Sequence, residues 1–180
     1  MAVNYKHKET MENSSDADTD YKVWSLLGQV AHVALRARQK ELHQYGIPLM
    51  HATVLYVIHA IGDKATPAEI SRWLFREPHS VSALLTRMEK DGLVRKVKDL
   101  DRKNLVRVTM TEKGQQVYSQ STNRESIHKI MSSLSEEECE HMMACLETMR
   151  NKALEELGVS RKTYFSQPQE IVRKETEREG

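Results

Sequence analysis

A chain of 180 residues is long enough for one domain with a real core, or for a small domain with an extension. It contains no apolar run of about 18 residues and no basic stretch leading into an apolar one near its start, so neither a membrane span nor a signal peptide is expected. The net charge is only +1, but residues 66–114 carry eleven Lys and Arg against seven Asp and Glu, whereas 134–158 carry two against seven. A basic middle and an acidic late segment is the asymmetry expected when one part faces nucleic acid and another faces away.

Residues 1–20 are polar, turn acidic near Asp16 and Asp18, and are expected to form a disordered arm. From 21 to about 45, Val23, Trp24, Leu27, Val30, Ala31, Ala34, Leu35 and Leu42 recur at helical spacing. This predicts a long helix whose apolar side needs a cover, broken at Tyr45-Gly46-Ile47-Pro48. A second helix follows over 49–61, with Val54, Leu55, Val57, Ile58 and Ile61 facing a core, and Gly62-Asp63-Lys64 forms a turn. Thr66, Pro67 and Glu69 then give a strong helix start: a cap, a first-turn proline and a capping box. A further helix runs over 78–90, where Val81, Leu84, Leu85 and Met88 form one apolar stripe, and Asp91-Gly92 ends it. Residues 93–98 and 104–110 read as a hairpin with Val106, Val108 and Met110 on one face and a charged tip over 99–103.

Helix, turn, helix and a basic two-stranded ribbon is the plan of a winged helix. The stripe of the 78–90 helix leaves His79, Ser80, Ser82, Ala83, Thr86, Arg87 and Lys90 on its other faces. Small and hydrogen-bonding side chains let a helix lie close to base edges in a major groove, and Arg87 is long enough to reach a base or a phosphate. Arg102 and Lys103 at the hairpin tip are placed to enter a minor groove or hold a phosphate. Lys96 and Lys98 on the strands suit phosphate contacts, or equally solvated strand edges that resist pairing.

These residues carry a resemblance. The segments SVSALLTRMEKDGLV, DLDRKN and VRVTMTEKG resemble the winged helix of the MarR family of bacterial transcription regulators, and the likeness extends over about 21–158. The Asp101-Arg102 pair followed by the Thr111 to Gly114 corner is specific in combination. The resemblance implies a homodimer that binds a pseudo-palindromic site on double-stranded DNA and usually represses transcription. It also implies that Arg102 reaches the minor groove and that Asp101 helps to hold the wing.

Beyond the wing, Thr111 is a good cap for one long polar helix reaching about Met131, with only a broken stripe of Val117, Tyr118, Ile127, Ile130 and Met131. Such a helix bridges between parts of a molecule. Ser135 to Glu138 reads as a second capping box, opening a helix that carries Cys139, Met142, Met143, Leu146, Met149, Ala153, Leu154 and Leu157 and stops at Gly158. The rest, 159–180, is a polar tail. The first and last helices each carry an apolar stripe that a compact winged helix cannot cover, and two copies can cover them mutually. The expected fold is therefore mainly α with a small β-wing (α+β). A winged helix over 47–114 is set between the parts of a helical dimerisation region, 21–46 and 115–158.

No phosphate loop, paired-carboxylate site or Ser/His/Asp setting occurs, so an enzyme is not expected. His141 and Cys145 stand i, i+4, but a zinc site needs three or four ligands, and His51 and His59 are too far apart on their helix to share one. No cofactor and no metal are expected, and Cys139 and Cys145 read as free thiols. The chain is expected to be a cytoplasmic bacterial or archaeal DNA-binding transcription regulator, a homodimer and a repressor. A small-molecule effector would occupy the crevice between the helical layer and the winged helix, lined by residues such as His32, Arg36 or His51. The main rival is a winged helix used as a protein-interaction module, whose exposed face should carry aromatics or Leu. The dimerising domain of a small-molecule methyltransferase is a weaker rival, because no room remains for a catalytic α/β domain.

Overall fold

A computed structural model describes residues 5–98 and 105–159, and within 5–17 the backbone alone. In chain order the elements are α1 (Tyr5–His43), α2 (Leu49–Ile61), a short 3-10 turn (Gly62–Lys64), α3 (Pro67–Leu74), α4 (Pro78–Lys90), β1 (Val94–Lys98), β2 (Val106–Met110), α5 (Glu112–Ser121), α6 (Glu125–Met131) and α7 (Glu136–Glu156). The fold is mainly helical with one antiparallel two-stranded ribbon, β1 against β2, in which Lys96 faces Val108. The expected arm over 1–20 is corrected: α1 begins at Tyr5. Nothing between Tyr5 and Leu27 breaks a helix, since neither Gly nor Pro occurs there. Residues 18–26 are exposed, and Lys22 pairs with Asp18 one turn back at 2.5 Å.

The core gathers α2, α3, α4 and the ribbon. Val54, Leu55 and Ile58 of α2, Ile70 of α3, Val81, Leu85 and Met88 of α4, and Val94 and Val108 of the strands are all buried. Thr66 caps α3 by accepting from the Glu69 amide at 3.2 Å. The other half of the expected capping box is not made, because the Glu69 carboxylate pairs with Arg72 at 2.5 Å. Buried Ala65 accepts a hydrogen bond from the Val108 amide at 2.9 Å, so the link between α2 and α3 flanks β2 on its far side. This joins the ribbon to the helices through the backbone as well as through side chains.

The corner after β2 explains its own sequence. The Thr111 hydroxyl accepts from the Gly114 amide at 3.0 Å and donates to the Gly92 carbonyl at 2.5 Å, while the Thr111 amide donates to Leu93 O at 3.0 Å. One residue thus caps α5 and binds the turn that follows α4. A Cβ placed on Gly114 would lie 2.0 Å from the Leu93 carbonyl oxygen. Only glycine lets α5 approach that closely.

The long bridging helix expected over 111–131 is corrected to two helices, α5 and α6, with Arg124 in the left-handed region (φ 51°) between them. The reason lies on α1. The Arg38 guanidinium donates to the carbonyl of Ser121 at the end of α5 and holds Glu41 at 2.7 Å. The Glu41 carboxylate accepts from the amides of Glu125 and Ser126 at 2.9 and 3.1 Å, and from the Ser126 hydroxyl. A cation therefore satisfies the carbonyl end of one helix and an anion the amide end of the next, each at the pole that favours it. Burial alone would push the Glu41 carboxyl upward. Hydrogen bonds from Ser126 and Arg38, with the Arg38 charge, outweigh it and bring the pKa down to about 2.

Two tests follow from this packing. Gly114→Ala should destabilise the fold by about 2 kcal/mol or more in urea unfolding, since backbone is forced apart; an unchanged midpoint would deny the close approach. A folded pKa near 2 against an ordinary value of 4.5 means that Glu41 stabilises the fold above about pH 4.5 and that this contribution fades as pH falls toward 2. The native protein should lose about 2 kcal/mol more than Glu41→Gln between pH 7 and pH 3. Parallel pH curves for the two proteins would exclude the charged cap.

Candidate nucleic-acid interface and the cavity behind it

α4 turns its apolar stripe inward, with Val81, Leu85 and Met88 fully buried. His79, Ser80, Ser82, Ala83, Thr86, Arg87 and Lys90 are all exposed, and together they form one polar face beside the ribbon. Lys98 at the end of β1 is exposed. Asp101, Arg102 and Lys103 lie outside the described residues.

Two of the sequence-selected side chains are engaged within the molecule. The Lys96 ammonium, expected to be either a phosphate contact or a solvated edge, donates to Thr86 Oγ1 at 3.1 Å and pairs with Glu89 at 3.2 Å. Its backbone amide donates to the other Glu89 oxygen at 3.1 Å. These hydrogen bonds, the backbone one foremost, hold the Glu89 carboxyl below its ordinary range. Thr86 donates its hydroxyl proton to Ser82 O at 3.0 Å, so toward a ligand it offers chiefly its methyl group. Lys96 and Glu89 thus fasten β1 to α4, which makes ribbon and helix one rigid surface.

Behind this surface lies a cavity of 410 Å³ between α1, α2 and the α5–α6 break. Its wall is largely apolar, with Leu35, Tyr56 and Tyr118, and its polar groups include Arg38, Ser121 and Arg124. Arg124 lies over the Tyr56 ring at 5.7 Å, and Tyr118 stacks on His59 at 4.6 Å. An apolar chamber with a few convergent polar groups is the usual form of a small-molecule site. The elements named from sequence for such a crevice do line it, but His32, Arg36 and His51 do not. Burial holds His51 below its ordinary pKa, with Asp91 and Arg87 acting in opposite senses, and it is a buried residue of α2. The polar lining residues were missed because the break was missed. The run Ser121-Thr122-Asn123 is a turn signal that could have marked it.

The outer helices keep apolar surface. Trp24 on α1 is 67 % exposed and Met143 on α7 58 %, with Val30, Val33, Leu35, Leu146 and Met149 also open. The expected Ser135–Glu138 capping box is present in both directions, at 3.2 and 2.8 Å. Cys145 Sγ lies 3.7 Å from His141 Nε2, and both cysteines are free. Among the described residues, no group of three or more metal-ligating side chains converges, and no helix is long and apolar enough to cross a membrane.

The MarR family pattern matches residues 45–103, from the turn before α2 through β1 to the end of the segment expected as the wing tip. The organohalide-sensing transcriptional regulator RdhR, solved with 2,4-dichlorophenol bound, is 32 % identical over 83 % of this chain and 89 % of its own, with a TM-score of 0.71. MepR from S. aureus, solved with DNA, is 26 % identical over 71 % of this chain and 96 % of its own, with a TM-score of 0.64. A mutant of MarR from E. coli, complexed with operator DNA, shares the fold at 21 % identity and a TM-score of 0.62, over 74 % of this chain and 94 % of its own. Among curated proteins none matches.

The geometry separates two kinds of substitution. Arg87→Ala should flatten preference among duplex variants, because a bidentate guanine contact carries about 1–3 kcal/mol of discrimination. Lys96→Met should instead weaken binding to every sequence alike, since it loosens ribbon from helix without removing a base contact. Affinities on selected and random duplexes check both; a uniform loss for Arg87→Ala would remove it as a base reader.

Proposed function

Because this chain belongs to the MarR family of transcriptional regulators, we propose that it binds a pseudo-palindromic DNA operator as a homodimer and represses the adjoining gene. The setting is the cytoplasm of a bacterium or archaeon. The observation that carries this reading is the exposed polar face of α4, fastened to the basic ribbon by Lys96 and Glu89. A helix clothed in Ser, Thr, His, Ala and Arg fits a major groove, whereas a protein-docking face would present aromatics or Leu. His79, Ser80, Ser82, Ala83, Thr86 and Arg87 are assigned to the groove, Lys98 and Lys103 to phosphates, and Arg102, with Asp101 as its support, to the minor groove.

The open apolar stripes of α1 and α7 support the dimer. They lie outside the winged-helix core and need a cover that a second copy supplies symmetrically. The cavity supports an effector. RdhR was solved with a dichlorinated phenol, and a single aromatic ring of that size fits within 410 Å³. The effector would shift the population between a spacing of the two α4 helices that matches one DNA turn and a spacing that does not.

Selection from random duplexes should return inverted half-sites about 34–36 Å apart. On the selected site, Arg102→Ala should lower the slope of log affinity against log salt by about one unit. Deleting residues 135–180 should yield monomers in sedimentation and abolish specific binding. A chain lacking α7 that remains dimeric would move the interface elsewhere, and selection that enriches nothing would reject sequence-specific DNA binding.

A further inference from the structure

The turns after α1, α2, α4 and α7 reach positive φ through glycine, at Gly46, Gly62, Gly92 and Gly158. α3 turns through Phe75 instead, at φ 50° and ψ 42°. Hydrogen bonds fix this turn on both sides. The Phe75 amide donates to Arg72 O and the Arg76 amide to Ser71 O, both at 3.1 Å. The buried Ser71 hydroxyl donates to Arg76 O at 2.5 Å. Helices usually complete this closing pattern with glycine, because a Cβ in the left-handed region crowds the next carbonyl. Glycine would suit the backbone better, so the ring at this position answers to something other than the turn.

That ring is not spent on the core. Ile70, Trp73 and Leu74 are the α3 residues that pack inward, while Phe75 is 52 % exposed. Phe75 stands three residues before Pro78, the first residue of α4, so their Cα atoms lie within about 11 Å of each other. The inference rests on the reading that α4 enters a major groove. The N-terminal end of such a helix meets the base edges, and the turn before it lies at the edge of the groove. The apolar group that bases present there is the thymine 5-methyl, and Phe is among the side chains that contact it. We propose that Phe75 reads a thymine methyl group in each half-site. The surroundings favour DNA over a protein partner. A ring that anchors a protein interface stands in an apolar patch. The exposed residues that follow Phe75 are Arg76, Glu77, Pro78, His79 and Ser80, and all but the proline are polar.

The test uses the full-length protein and its selected duplex, with each thymine replaced in turn by deoxyuridine. This change removes the methyl group and keeps every hydrogen-bonding atom of the base. At one position in each half-site it should weaken binding about fourfold, the value of one buried methyl group. Phe75→Gly should bind the thymine and uracil duplexes alike, so that the two changes are coupled and not additive. Phe75→Leu, which keeps an apolar side chain, should retain part of the difference. The urea midpoint of Phe75→Gly should be equal to or above that of the original protein, because glycine suits φ 50°. Indifference of the original protein to deoxyuridine at every thymine would overturn methyl reading and leave α4 in the groove. A deoxyuridine loss that persists in Phe75→Gly would give the methyl to another side chain, such as Ala83 or Thr86, and overturn it too. A fall in the midpoint, with equal loss of affinity for every duplex, would make Phe75 a packing residue and overturn the inference. Failure to enrich any duplex would reject the DNA reading and this inference together.

Discussion

One carboxylate sits where the two halves of the molecule meet. Glu41 belongs to α1, yet its oxygens are spent on the first amides of α6 and on Arg38, which in turn binds the end of α5. A buried ion pair of this kind gives little net stability if its desolvation is set against its attraction. Here four additional hydrogen bonds, counting both partners, remove the lone pairs and donors that would otherwise be left wanting. What the arrangement supplies is direction. It sets where α5 must stop and where α6 must start, and so how the winged helix leaves the helical layer. An apolar pair of equal volume would fill the same space without specifying that turn.

The winged helix beyond this joint is built the opposite way, with little freedom. Backbone bonds from Val108 to Ala65 and from Thr111 to Leu93 tie the ribbon at the middle of β2 and at its base. The Lys96–Glu89 pair ties it at its middle to α4. Gly114 closes α5 onto the turn at a distance no side chain tolerates. A winged helix fastened this way suits the proposed dimer, in which the spacing between two such heads would change while the contacts within each stay constant.

The division between what the sequence disclosed and what it did not follows the range of the interactions. α4 was legible to the residue, because Pro78, the Val81-Leu85-Met88 stripe and Asp91-Gly92 are all local signals. So was the Ser135 cap of α7, where donor and acceptor stand three residues apart. The exposed polar face of α4 was legible as the complement of a stripe. The α5–α6 break was not, because its cause lies more than eighty residues upstream in Arg38 and Glu41, and α1 gives no local hint that these two face inward. Lys96 was misjudged for the same reason. A lysine on a short strand reads as a surface charge until the helix carrying Glu89 and Thr86 is folded against it.

The placement of charge completes the account. The acidic α7 and the basic ribbon belong to parts of the chain that the α5–α6 joint connects. A duplex bound as proposed would attract the ribbon and repel α7, and so would favour the helical layer outward. That bias falls with salt within about a Debye length, roughly 8–10 Å. The Arg38–Glu41 pair, being nearly buried, keeps its strength over the same range.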